Sequence, residues 1–288
     1  MRAGIALALV SAAGYGLNIV TAQIASTVGI SGALMVFYRV FVMLACIAAV
    51  LLVVRRSLAV DKGERTPLLV FGLSSSVIGT AYLSSVAYLP VSVAAVIFYL
   101  FPIFIVLVEP LVERTRIQPA RLGIALVAFI GVALVVGPRF ESLDPRGLAL
   151  AFGAAVGATI QFYAAARMPR TNIVAKLFWG HILVLPGVIA TLVWMDGFRS
   201  PEMFALAPVA VAITLLAYVV SIALQLMSLS RIPAVVAGLT FCAEPLFASA
   251  FAALILGERL VAWQYAGAGL VLMAIALNAV LPARHGSA

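Results

Sequence analysis

The sequence predicts an all-α integral membrane protein, with ten transmembrane helices arranged as a 5+5 inverted-topology repeat. Three observations predict it. First, 65% of the 288 residues are hydrophobic and 10% charged, with a mean hydropathy of +1.21, too little polar surface to cover a soluble globule. Second, the chain divides into ten apolar segments, each near the roughly 20 residues that cross a hydrocarbon core. Third, it repeats itself at one offset of 143 residues. Gly4, Ala6, Leu7, Ala8, Ala12 and Gly14 fall on Gly147, Ala149, Leu150, Ala151, Ala155 and Gly157, and the register holds through Tyr82/Gln225, Pro90/Pro233, Phe98/Phe241 and Pro102/Pro245.

The segments run over 3–24, 32–54, 67–88, 91–112, 119–137, 146–166, 173–195, 206–227, 233–256 and 261–281. Each is read as a helix, because a lone segment in hydrocarbon satisfies its backbone N–H and C=O groups only internally; period-two polar alternation, the mark of a membrane strand, is missing. The apolar run after Met1-Arg2 mimics a secretory signal, but nine more spans follow and it is read as the first helix. The first repeat is expected over 1–137, a polar linker with Arg139, Glu141, Asp144 and Arg146 over 138–147, and the second repeat with a short tail over 148–288. Five helices per repeat is an odd number, so the second repeat enters the membrane from the opposite face. No room remains for a soluble catalytic domain.

Charge placement orients the chain. With the amino terminus inside, Arg2, Arg55, Arg56, Lys62, Arg65, Arg114, Arg116, Arg121, Arg167, Arg170, Lys176, Arg231 and Arg284 are cytoplasmic, thirteen in all, against four outside: Arg139, Arg146, Arg199 and Arg259. The positive-inside rule therefore puts both termini in the cytoplasm of a cell membrane. The net charge of +8 is accounted for by this sorting and does not call for nucleic acid. Cys46 and Cys242 lie inside apolar segments with no ligand spacing around them, which reads as buried thiols.

Inverted repeats are a mark of secondary transporters, whose sites lie near the midplane at the repeat interface, so polar residues within spans are the candidate site. The eighth segment carries Thr214, Tyr218, Ser221, Gln225 and Ser228 at steps of 4, 3, 4 and 3, all on one helical face. The third has Ser75, Tyr82 and Ser85 at corresponding steps, the first Ser11, Tyr15 and Asn18, and the sixth Gln161 with Tyr163 nearby. These faces should meet. Asn18, Tyr82, Gln161 and Gln225 are expected to line a cavity, the first two toward the outer third and the others toward the inner, with Tyr99, Phe98, Phe241 and Tyr218 as aromatic walls. The alternative is that these groups merely bond neighbouring helices.

Glu244, halfway along the ninth segment, is the sharpest signal: an intramembrane carboxylate normally faces a cavity or a partner. Substrate-ammonium recognition, proton coupling and a structural hydrogen bond all remain open for it. Arg39 in the second segment stays charged and needs an anion, water or the interface; snorkelling or a structural carboxylate competes with recognition of a substrate carboxylate. His181 is a polar core residue or a pH-sensitive group. Glu109 is expected to reach Arg114 or Arg116. Pro90, Pro102, Pro233 and Pro245 are candidate gating hinges. No HExxH, GxSxG with partners or P-loop occurs, so neither an enzyme nor an ATP-driven pump is indicated, and no metal or cofactor is called for.

Glu244-Pro245, Gly257-Glu258-Arg259-Leu260 with Gly267, the first-repeat echo Pro102, Glu113-Arg114 and Gly123, and Tyr38-Arg39 together make the chain resemble the drug/metabolite transporter superfamily, in its EamA-type ten-helix branch. The resemblance covers essentially the whole chain, although the first repeat lacks the Glu before Pro102. It implies an exporter or exchanger of small metabolites working by alternating access. Within the branch the chain is most similar to the YddG group of aromatic amino-acid exporters, which implies an amino-acid substrate, with Asn18, Tyr82 or Gln225 serving the zwitterion. A small-solute channel and a drug efflux proton antiporter are the competing readings. Substrate identity, coupling ion and oligomeric state are not legible at this level, and a monomer could suffice.

Overall fold

The computed structural model describes residues 1–54, 57–138, 143–195 and 197–281. Arg55, Arg56, Arg139, Glu141 and Arg284, which carry part of the charge pattern and of the linker, lie outside the described residues. Within them, helices long and apolar enough to cross a membrane form ten spans. The first repeat comprises α1 (Arg2–Ser26), α2 (Gly32–Val54), α3 (Arg65–Ser85), α4 (Val91–Phe98) with α5 (Phe101–Glu113), and α6 (Pro119–Val136). The second comprises α7 (Pro145–Ala166), α8 (Ile173–Trp194), α9 (Pro208–Leu229), α10 (Ala234–Phe241) with α11 (Glu244–Phe251), and α12 (Ala262–Val280).

The fourth and ninth spans are the ones that break, at matching positions. Pro102 and Pro245 sit in the first turn of α5 and α11, where a missing N–H leaves no bond unmade. The chain crosses each gap on tightened turns, Leu100 N–H to Ile97 O at 3.1 Å and Ala243 N–H to Thr240 O at 3.1 Å. Pro90 and Pro233 stand outside the helices as the residues that open α4 and α10. The prolines that do fall inside helices are Pro110 in α5 and Pro186 in α8. Helix α7 begins at Pro145, inside the expected linker, because the Asp144 carboxylate caps the Arg146 N–H at 2.8 Å. Hydrogen bonds from Arg146 hold that exposed carboxyl below its ordinary range.

Packing follows the repeat. Helix α1 lies along α9, and its mate α7 lies along α3, so each repeat's first helix is buried against the third helix of the other. At the α6–α12 crossing the backbones nearly touch: a Cβ on Gly267 would stand 2.6 Å from the Gly131 carbonyl oxygen, and one on Gly131 2.8 Å from that of Gly267. Small residues admit this approach, and dispersion then binds helices that gain nothing from hydrophobic burial in lipid. Glu109 pairs with Arg121 at the start of α6, 3.2 Å away, and not with Arg114 or Arg116. Helix α5 ends at Arg114 in a left-handed turn, whereas Arg121 lies beyond the turn, on the helix that folds back along α5.

Candidate functional site

The expected polar faces meet, and they meet as zippers. Along α1–α9, Ser11 Oγ donates to Ser221 O at 2.7 Å, Tyr15 Oη to Gln225 Oε1 at 2.8 Å, Asn18 Nδ2 to Thr214 O at 2.6 Å, and Ser228 Oγ to Gly4 O at 2.8 Å. Along the mate pair α3–α7, Gln161 Nε2 donates to Ser75 Oγ at 2.7 Å. Interhelical bonds of this kind contribute about 0.6–2 kcal/mol each.

Between the zippers, at the level of the two helix breaks, lies a central cavity of about 190 Å³. Its polar lining is Tyr15, Arg39, Ser75, Gln161, His181, Tyr218, Gln225 and Glu244; its aromatic lining is Phe71, Phe98, Phe101, Phe162 and Phe241. The breaks explain the aromatic wall. Phe98 and Phe101 flank one gap and Phe241 the other, so rings that a continuous helix would distribute around its circumference are gathered at one level. Phe162 joins them, 5.2 Å from Phe101 and 5.4 Å from Phe241 between ring centroids.

Arg39 does not snorkel, and among the described residues it pairs with no carboxylate. Its guanidinium carbon stands 3.9 Å from the centroid of the Tyr218 ring, and its buried Nε has no hydrogen-bond partner. Tyr218 is itself oriented by His181. The His181 Nδ1–H donates to Leu177 O at 2.7 Å, which leaves Nε2 of the neutral ring to accept from the Tyr218 hydroxyl at 3.0 Å. Glu244, the first residue of α11, faces the same cavity with the Tyr99 hydroxyl beside its carboxylate. Among the described residues the ion pairs are Arg121–Glu109, Arg146–Asp144 and Arg167–Glu113. Arg39 and the Glu244 carboxyl therefore share one cavity, together with Tyr15, and form no ion pair with each other among the described residues.

Four residues expected in the lining are placed elsewhere. Asn18 is rotated into the α1–α9 contact by its bond to Thr214, and Tyr15, one turn earlier on the same stripe, takes the cavity position. Tyr82 and Tyr99 form a layer behind the wall, Tyr82 edge-on to Phe98 at 5.4 Å and Tyr99 buried against Phe98 and Phe101. Tyr163 points the other way, its hydroxyl bonded to Ile105 O at 2.7 Å between α5 and α7. Gln161, Gln225, Tyr218, Phe241, Glu244, Arg39 and His181 all line the cavity. Phe98, expected as an aromatic wall, lines the cavity as well; Tyr15 and Ser75 were legible as members of the right faces, but their depth relative to the cavity was not.

Two inverted five-helix repeats around a central cavity that mixes charge, amide and aromatic surface define a polytopic membrane protein of the transporter class. The chain belongs to the EamA-like transporter family, which it matches over residues 2–137 and again over 145–280. It is thus an EamA-family membrane transporter, each repeat one family unit. A solved crystal structure of another protein superposes with a TM-score of 0.68 at 18% identity, over 93% of this chain and 94% of the other, a likeness that speaks for the fold alone. Among proteins of curated function, none matches it.

Proposed function

We propose that the protein exports or exchanges zwitterionic amino acids, aromatic ones among them, by alternating access through the central cavity. One observation carries this reading: Arg39 and Glu244 face the same cavity without pairing with each other or with any other ion among the described residues. Two unpaired opposite charges in a low-dielectric site are expensive to maintain, and an α-amino acid supplies both counter-ions at once, its carboxylate to Arg39 and its ammonium to Glu244. The five Phe rings give its side chain an apolar and aromatic surface. At about 190 Å³ the cavity falls below the roughly 300–1,000 Å³ typical of drug sites, which favours a small metabolite over efflux of bulky drugs. Under this reading both termini are cytoplasmic, the repeats divide at 138–147, and the breaks before Pro102 and Pro245 are the bending points.

The test is counterflow in proteoliposomes with three matched ligand sets: amino acids, their decarboxylated amines, and their deaminated acids. A zwitterion carrier exchanges the first set with saturation and trans-stimulation and handles both truncated sets at least tenfold less well. Equal handling of all three sets sinks the proposal, and flux without trans-stimulation makes the protein a channel. A pH gradient across the vesicle separates proton antiport from plain exchange.

A further inference from the structure

Besides the α1–α9, α3–α7 and α6–α12 contacts, the two repeats meet along a further pair of mate seams, α3 against α8 and α9 against α2, and these seams are not alike. Helix α3 packs on α8 far more extensively than α9 packs on α2. The sequence supplies the reason at equivalent positions. In the first seam Gly72 leaves room for Leu183, Gly180 for Phe71, and Gly187 for Ser76, each so close that an added Cβ would collide. At the offset of 143 those glycines become Leu215, Phe37 and Leu44, so the second seam has no glycine at the equivalent positions; Leu215 fills the α2–α9 contact, while Phe37 packs toward α8.

The first seam is also fastened at its end on the face that carries the start of α1. The buried Glu64 carboxylate accepts from the Arg170 N–H at 2.8 Å and the Thr171 N–H at 2.7 Å, just ahead of α8. Its charge is favoured there by the α8 amino terminus and by the buried Lys176 in the first turn. Around it Asn172 Nδ2 donates to Ser57 O at 2.6 Å and Trp179 Nε1 to Leu58 O at 3.0 Å. The mates of Glu64, Lys176, Asn172 and Trp179 are Ala207, Ala33, Gly29 and Val36, none of which can make such bonds. The second seam is held instead by apolar contact among Leu34, Met35, Val211 and Leu215, by Arg39 lying over Tyr218, and, in the segment just ahead of α9, by the Tyr38–Phe204 ring pair at 4.8 Å and one exposed bond from the Tyr38 hydroxyl to Arg199 O at 3.2 Å.

We propose that α3 and α8 move as one body throughout the cycle, and that the α2–α9 seam, bridged at mid-depth by Arg39 on Tyr218, is the one that parts when the cavity is loaded or emptied. A seam of close-packed glycines fastened by charge-assisted bonds has one arrangement, whereas an apolar contact with one exposed hydroxyl bond at its end can slide and reseat. The inference stands whichever solute the cavity takes.

The test uses full-length protein with Cys46→Ala and Cys242→Ala, in nanodiscs and proteoliposomes. Spin labels on Tyr38→Cys/Phe204→Cys report the second seam, and labels on the outward-facing Leu73→Cys/Ile189→Cys report the first. Two distance populations across α2–α9 and one across α3–α8 are expected, with Glu64→Ala broadening the latter. For transport, a disulfide between thiols introduced by Ser76→Cys and Gly187→Cys should leave exchange within twofold, while a short reducible thiol cross-link between positions 38 and 204 should lower it at least tenfold until reduced.

Two populations across α3–α8, or one narrow population across both seams, overturns the inference, and so does greater sensitivity to the first tether than to the second. The distance measurements need no substrate, so failure of the amino-acid reading leaves this test intact.

Discussion

Replacing Glu244 by Gln isolates the charge at the centre of the site with almost no change of shape. The amide keeps an oxygen that can accept from Tyr99, and the residue is half-buried against the cavity rather than locked in a packed core. Folding should be little affected, and removing a desolvated charge from the membrane interior should if anything help, so the melting transition is expected to move by less than about 1 kcal/mol equivalent. Binding is different. If the carboxylate meets an ammonium, the substitution removes the ion pair and leaves only an amide oxygen accepting from the ammonium, a loss of about 1.5–3 kcal/mol. At 1.4 kcal/mol per decade this becomes a rise in KM of roughly 10- to 150-fold for amino acids. Deaminated acids, which never use the carboxylate, should be transported no worse and should gain from the removed repulsion. The assay is concentration-dependent counterflow in proteoliposomes beside a thermal melt in the same detergent. An unchanged amino-acid KM with an unchanged melt would refute ammonium recognition by Glu244. An equal loss for amino acids and deaminated acids would show that the residue supports the cavity rather than the charge.

Arg39→Gln should give the complementary pattern, a KM rise for amino acids and deaminated acids but not for amines. Its effect on stability is limited to the contact with Tyr218, about 0.5–2 kcal/mol. Gly267→Val should lower the melting temperature measurably, since its Cβ would meet the Gly131 carbonyl and overpacking of this kind costs about 1–3 kcal/mol; a native melt would mean the α6–α12 crossing can relax. Glu109→Ala takes the Glu109 counter-charge away from the nearly inaccessible Arg121 and should lower the melting temperature measurably, more than Glu109→Gln in a side-by-side thermal melt. Asn18→Ala should cost about 0.6–2 kcal/mol of stability with KM unchanged, whereas Tyr15→Phe should raise KM.

The sequence by itself determined the spans, their pairing into repeats and the inversion, because each depends on composition and register along the chain. A run of apolar residues must be helical in lipid whatever surrounds it, and a duplication shows itself at one offset. It also determined which helical faces are polar, since a spacing of 3 and 4 places Tyr15 with Ser11 and Gln225 with Ser221 before any packing is known. Tertiary structure decided what those faces do. The rotation of α1 sends Asn18 to a backbone carbonyl and Tyr15 to the cavity, a difference of about one turn that no periodicity resolves. The breaks before Pro102 and Pro245 gather the Phe rings, and the crossing of α2 with α9 lays Arg39 on Tyr218 instead of releasing it to the interface. The pairing of Glu109 with Arg121 likewise required the turn after Arg114 to be known. Charge in a membrane is decided by its nearest partner in space, and nearness in space between helices is the one quantity that a linear pattern of hydropathy does not contain.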